Sequence, residues 1–443
     1  MLGGSSAPGP AAGATDPIAP HERSIGTTVQ PDAHPPQAWR SLSSAEQAQF
    51  DLGYAVFNTE WVPANAPPGR IDGLGPLFNS QSCDACHNSR RRGRGPRGEG
   101  EAPSDLVVQL GRVSTGASAA RQVSRGRDYG FVLNTAGIKG FEPEARVRIQ
   151  YEPRPVRLAD GTVVELRQPR YRAENLSGRE LPPGTVLMPR MPPPVQGVGL
   201  LERVPQLQLE QVARSQRTTA DIRGRISWLQ TSQGRSIGRF GWQASEPTVA
   251  SQIGVAFARE MGLTNPLVSD DDCGQSNEAC RTAARGGSPE VAADLFEAVI
   301  AFERWHAVPV TKVADQSSPG ARLFESCGCA DCHRPDLRVA LGKEDHALIH
   351  PYTDLLLHGL GQALADRDVN GTPAPTLWRT APLWGMHAAY VSGQPLRLLH
   401  DGRARSIEEA ILRHDAEARR AREHYAQLSR DERRALVEWI QDL

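Results

Sequence analysis

Two Cys-x-x-Cys-His pentads, Cys83–His87 and Cys329–His333, constrain this 443-residue chain more than any other feature. In such a pentad the two thiols are spaced to add across the vinyl groups of one haem, and the His behind them faces the iron as proximal ligand. A lone Cys-x-x-Cys also serves as a redox dithiol or as half of a zinc site. The His that follows in both copies favours haem, as does the lack of a further ligand pair at zinc-site spacing. The expectation is two covalently bound haem c groups, attached through Cys83, Cys86, Cys329 and Cys332 and ligated by His87 and His333.

The opposite face of each iron decides between chemistry and electron transfer, since an open position admits a ligand and a filled one does not. No histidine lies between His87 and His306, so the first iron is either open or closed from far along the chain. For the second, Ile407, Ile411 and His414 follow the i, i+4, i+7 rhythm of one helix face. A histidine on such a stripe is either a hydrogen-bonded core residue or an axial ligand, and the pattern alone leaves both open.

Around the pentads the pattern is largely helical. Ser44-Ala-Glu-Gln47 reads as a capping box that opens a helix. Residues 145–171 alternate at Val147, Ile149 and Tyr151, turn at Asp160-Gly161 and resume from Val163 to Leu166. That is a hairpin, and the only convincing β-structure in the pattern. Helical signals return from about residue 205 and run through 288–306. They restart at Ser318-Pro319, Ser406-x-x-Glu409 and Ser429-x-x-Glu432. The expected fold is mainly α: two cytochrome c-like haem domains, 43–310 and 311–443, with a small β-hairpin insertion at about 145–171 in the first. Residues 1–42, rich in Gly, Ala, Pro and Ser, read as a disordered leader or linker.

A formal net charge of −1 argues against nucleic acid as a partner. No apolar run reaches the ~18–20 residues that span a bilayer. Thioether attachment requires export, so the periplasm is the expected location, with a lipid anchor as the membrane-bound alternative. In an oxidising compartment Cys273 and Cys280, in an Asp- and Gly-rich loop, are expected to pair rather than stay free. Of the seven cysteines Cys327 is then left over.

From about Ser44 onward the chain resembles the dihaem oxidoreductase family of peroxidase-like proteins, often labelled thiol oxidoreductases and similar to bacterial dihaem cytochrome c peroxidases. Blocks in the right order carry the resemblance: D-G-L-G-P-L-F-N before the first pentad, P-P-P-V-Q-G-V-G-L-L-E at 192–202 and G-R-F-G-W-Q-A at 238–244. P-Y-T-D-L-L-L-H at 351–358, W-R-T-A-P-L-W-G at 378–385 and L-H-D-G-R-A at 399–404 follow. The resemblance implies a sixth ligand for the second haem fourteen residues after His400, a Met in the related peroxidases and His414 here. His400 itself would stand near that haem. It also implies Gln252 and the pair Glu260-Met261 over an open first haem. Glu260 would take and return a proton while Gln252 orients peroxide; the alternative is a solvated helix face. Trp242 would bridge the haems, or else pack in the core.

Two departures stand out. Where the family reads L-L-H-D-M-G this chain reads L-L-H-G-L-G, so Gly359 replaces an acid that would orient His358. Likewise H-G-G-E-A becomes H-D-A-E-A at 414–418. His358 remains a reserve candidate for the distal side of the first haem. The basic run Ser89–Arg97 is either a solvated loop, a partner for haem propionates, or a steering patch for an acidic electron donor.

The leading functional expectation is an exported dihaem enzyme that reduces hydrogen peroxide or another small oxidant, or uses it to oxidise a partner. An electron-donor cytochrome or cupredoxin would feed it. The first haem would be the reaction centre and the second the electron store. The alternatives are a non-catalytic dihaem electron-transfer cytochrome and a dihaem enzyme oxidising a protein side chain or a metal or organic substrate.

Overall fold

The computed structural model describes residues 25, 27–28, 36–64, 66, 69–87, 92–112, 129–176, 180–217, 221–309, 314–374 and 376–443. The elements that position the site are, in chain order, helix α1 (Ser44–Asn58), the one-turn helix α2 (Cys83–His87), strands β1 (Val107–Arg112), β2 (Arg146–Arg157), β3 (Val163–Glu174) and β4 (Thr185–Arg190). Helices α3 (Val249–Glu260), α4 (Ala293–Trp305) and α5 (Pro319–Ser326) follow. Then come the short strand β5 (Leu357–His358) and helices α6 (Ile407–Leu412), α7 (Arg419–Gln427) and α8 (Arg430–Gln441).

The expectation of a mainly α, cytochrome c-like fold is overturned: of the described residues 30% are helical and 21% strand, the strands spread over many small sheets. The strands were hidden because most are too short, or too uniformly buried, to alternate. All six residues of β4 are buried. It lies between β1 and the short strand Arg367–Asp368 in a four-stranded antiparallel sheet. A strand covered on both faces reads as a plain apolar run and carries no period of two.

The hairpin expected from the sequence is present, as two twelve-residue strands in register from Arg157↔Val163 to Arg146↔Glu174. Gly161, at φ +84°, takes the left-handed position of its turn. Its tip reaches the C-terminal half, where Leu158 and Leu166 join the core built from Phe324, Tyr425, Leu436 and Trp439. Asp160 pairs with Arg433 at 3.0 Å, and the Tyr171 hydroxyl donates to Asp401 at 2.7 Å. The insertion therefore straps the second pentad's half.

Helix starts obey capping chemistry with small shifts. The first box is Ser43/Glu46, one residue earlier than expected, because Glu46 reaches back to the Ser43 N–H at 2.8 Å. Ser429/Glu432 forms the full reciprocal box. Ser406 caps Glu409 N–H, but the Glu409 carboxylate turns to Arg405 instead. α1 lies tightly on α4: a Cβ on Gly53 would stand 2.0 Å from the Ala298 carbonyl oxygen. The close approach packs Phe50 and Phe57 against Phe302 with their rings tilted by 54° and 58°.

Most of residues 1–42 lies outside the described residues. The part described is held in place, with Trp39 N–H donating to the Trp305 carbonyl and Ile25 N–H to that of Leu348, each at 2.9 Å. Among the described residues no helix is long and apolar enough to cross a membrane.

Candidate dihaem site

Each pentad opens onto its own cavity. The first, of about 450 Å³, is lined by Cys83, Cys86 and His87, by the proline run Pro192–Pro194 and by one side of α3. The second, of about 200 Å³, is lined by Cys329, Cys332, His333 and His414. The two cavities share four wall residues: Arg92, Trp242, Arg379 and Ala381.

Both pentad histidines are set in the same way. His87 Nδ1 lies 2.9 Å from the Pro193 carbonyl, and His333 Nδ1 lies 3.0 Å from that of Tyr352. Donating through Nδ1 fixes the tautomer and leaves Nε2 as the lone-pair nitrogen, as a metal-bound imidazole requires. Burial lowers both histidines to about 4, so they stay neutral. Burial also pushes the Cys86 and Cys329 thiols up to about 12, unlike the low-pKa thiols of a redox dithiol.

The second cavity has a histidine on each side. The rings of His333 and His414 face one another with centroids 6.5 Å apart. Two imidazole–metal bonds of about 2 Å, plus about 1 Å from each nitrogen to its ring centre, span roughly 6 Å. His414 Nδ1 is itself bonded to the Ala410 carbonyl at 2.7 Å, so its Nε2 is the free nitrogen. Ile407, Ala410, Ile411 and His414 all line this cavity, which is the inward stripe of α6 and the turn beyond it.

In the first cavity His87 is the sole histidine among the described lining residues. What faces it instead is α3 with Gln252, Arg259 and Glu260, together with Glu246. Burial raises Glu260 to about 8, against the partial opposition of Arg259. The loop before the first pentad anchors the end of α3. Asn79 N–H donates to the Glu260 carbonyl at 2.8 Å, and Gly75 N–H to that of Met261 at 3.0 Å. That crossing needs glycine on both sides, because a Cβ on Gly75 would stand 2.6 Å from the Gly262 Cα. The Asn79 carboxamide accepts from Thr135 and reaches Glu260 at 3.5 Å.

The reserve ligands are engaged elsewhere. His358, in β5, bonds Asp354 through Nε2 and Glu417 through Nδ1, each at 2.9 Å. Burial opposes charge there, but the bonds to Asp354, Cys332 and Glu417 outweigh it and raise His358 to about 12. Glu417 also accepts from Gly359 N–H at 3.0 Å. It therefore stands in for the acid absent at position 359. Cys332, Asp354 and His358 form a cluster of metal-ligand type. A His held as imidazolium by two carboxylates has no lone pair for a metal. His400 lines the second cavity but stacks on Trp378 at 3.9 Å, with Nε2 directed to Arg403 at 3.4 Å.

Trp242 stands at the wall between the cavities, its indole N–H donating to the Met191 carbonyl at 2.8 Å. The Arg92 guanidinium lies over its ring at 5.5 Å. Arg92 is the described part of the basic run that reaches the site, while residues 88–91 lie outside the described residues. Burial lowers Arg92 and Arg379 to about 10. Two desolvated guanidiniums between the two pentads would suit the acidic propionates of haem. Cys327 is a buried free thiol at the second cavity, and Cys273 and Cys280 form the expected disulfide.

Donor type, tautomer, spacing and buried guanidiniums all fit haem at both pentads, so the site is that of a dihaem redox protein. The chain belongs to the family described as "di-haem oxidoreductase, putative peroxidase", whose model matches residues 136–443. The match begins after the first pentad and takes in the second. No curated protein and no solved structure matches the chain.

Sequence reasoning missed Asn79, Glu246, Arg259 and Arg379. Asn79 and Arg379 sit within the blocks already singled out, so their type was visible though not their aim. Glu246 and Arg259 carry no local signal.

Proposed function

We propose that this oxidoreductase reduces hydrogen peroxide or a related small oxidant at the first pentad, and stores electrons at the second. Haem c bound through the paired thiols would supply the redox-active iron at each. The supporting observation is the inequality of the two cavities: among the described residues His87 is the one histidine lining the first, whereas His333 and His414 face each other across the second at 6.5 Å.

In the first cavity the chain supplies the proton handling. Reduction of peroxide by two electrons consumes two protons and yields two waters. Glu260, raised by burial to about 8 and beside the cavity, takes the proton of one peroxide oxygen and returns it to the leaving one. Gln252, two turns earlier on α3, offers an amide to orient the oxidant. Trp242 occupies the common wall and gives electrons a short aromatic route between the sites. Attachment by thioether bonds implies export to the periplasm, where a small cytochrome or cupredoxin would donate.

Stopped-flow mixing with hydrogen peroxide tests the reading. Glu260→Gln should slow the reaction by roughly 10²-fold or more. Unchanged rates would remove Glu260 as the acid/base.

A further inference from the structure

Helix α3 crosses the first cavity, and Gln252, Val255, Ala256 and Arg259 line it at i, i+3, i+4 and i+7. Arg259 closes this stripe. Its guanidinium stands over the Phe131 ring at 4.1 Å, which fixes its place at the wall. Among the described residues Arg259 makes no hydrogen bond and no ion pair. Glu246 and Glu260 flank it closely enough to feel its charge, yet neither comes within ion-pair distance.

A guanidinium carries five N–H donors and keeps its charge at every accessible pH. Donors left without protein acceptors on a half-buried side chain at a cavity wall favour an incoming anion, above all one bearing oxygen. Arg92 and Arg379 border both cavities, where propionates of either haem would lie. Arg259 borders only the first, on the same stripe as Gln252 and next to Glu260.

We propose that Arg259 makes the α3 wall of the first cavity an anion-binding subsite, which holds the oxidant as hydroperoxide or by the carboxylate of an organic hydroperoxide. The proposal rests on the first pentad being the reaction centre. For hydrogen peroxide the step is a proton transfer: one peroxide O–H bond breaks, a carboxyl O–H bond forms on Glu260, and the negative charge moves from Glu260 to the oxidant. The Arg259 guanidinium pairs with that charge, so deprotonation inside a poorly solvated cavity does not create an isolated anion.

The test uses ferric, full-length protein carrying both haems, titrated with azide as an anionic probe and imidazole as a neutral one, followed by visible absorption. Arg259→Leu should weaken azide about tenfold or more, the scale of one charge-assisted hydrogen bond, and leave imidazole within about twofold. Arg259→Lys should retain most of the azide affinity, and Arg259→Gln should behave like the Leu variant if that one folds poorly. Potentiometric titration of Arg259→Gln should leave the midpoint of the second haem unchanged, since Arg259 borders the first cavity and not the second. Equal azide affinity in wild type and Arg259→Leu overturns the proposal. So does equal loss of both probes, the signature of a structural or propionate-binding role. Wild-type protein that binds neither probe sinks the open-iron reading, and the subsite with it.

Discussion

Replacing Glu417 with Ala would remove the acceptor that holds His358 from one side. The carboxylate accepts from His358 Nδ1 at 2.9 Å, from Gly359 N–H at 3.0 Å, from Arg223 N–H at 2.9 Å and from Arg225 Nη1 at 2.8 Å. Arg225 is about half exposed, so its share is small. His358 is only 2% exposed, and losing Glu417 leaves its charge balanced by Asp354 alone. Breaking a buried charge pair in this way costs about 3–5 kcal/mol.

The pH dependence carries a second signature. His358 is raised from 6.5 to about 12, so its stabilisation is complete below pH 6.5 and declines as pH rises toward 12. Glu417 is lowered from 4.5 to about 2, so its contribution is complete above pH 4.5 and is lost as pH falls toward 2. The pair is therefore worth most between about pH 4.5 and 6.5. Denaturant unfolding of wild type and Glu417→Ala across this range should show the gap at its widest there. A difference under about 1 kcal/mol throughout would refute the account of His358 as a doubly held imidazolium.

Asp366 binds Arg190 through both carboxylate oxygens at 2.7 and 2.8 Å, with both side chains buried. Asp366→Ala should cost about 3–5 kcal/mol in denaturant unfolding and disturb Trp378, on which Arg190 lies. Glu303 is a buried carboxyl of the first cavity that burial raises to about 8. Because the folded state keeps its proton longer, stability should fall by up to about 1.4 kcal/mol per pH unit between pH 4.5 and 8, a slope that Glu303→Gln should flatten. Trp242→Leu should slow electron transfer between the haems in flash or stopped-flow reduction while leaving both haem spectra unchanged. An unaltered transfer rate would make Trp242 a packing residue.

The cofactor cradles were legible because their chemistry is local: two thiols and a histidine within five residues define each pentad. The inward placement of His414 was legible for a related reason, since Ile407, Ile411 and His414 share a face at helical spacing, although only the family resemblance pointed to it as a ligand. The sheets were not. β1 and β4 meet across more than seventy residues of chain, and β4 is buried throughout, so neither spacing nor alternation announces the pairing. Arg259 and Glu246 were missed for the same cause, because Phe131, Glu246 and α3 converge only in three dimensions. The departure at Gly359 looked like a lost acid, and its replacement by Glu417 lies 58 residues away.

The central claim is that the two pentads are unequal, and ferric electron paramagnetic resonance of the haem-loaded protein tests it most directly. Wild type should give one high-spin signal from the first site and one low-spin signal from the second, and His414→Ala should convert the low-spin signal to high-spin. Two low-spin signals in the resting protein, or a low-spin signal that survives the loss of His414, would contradict the account.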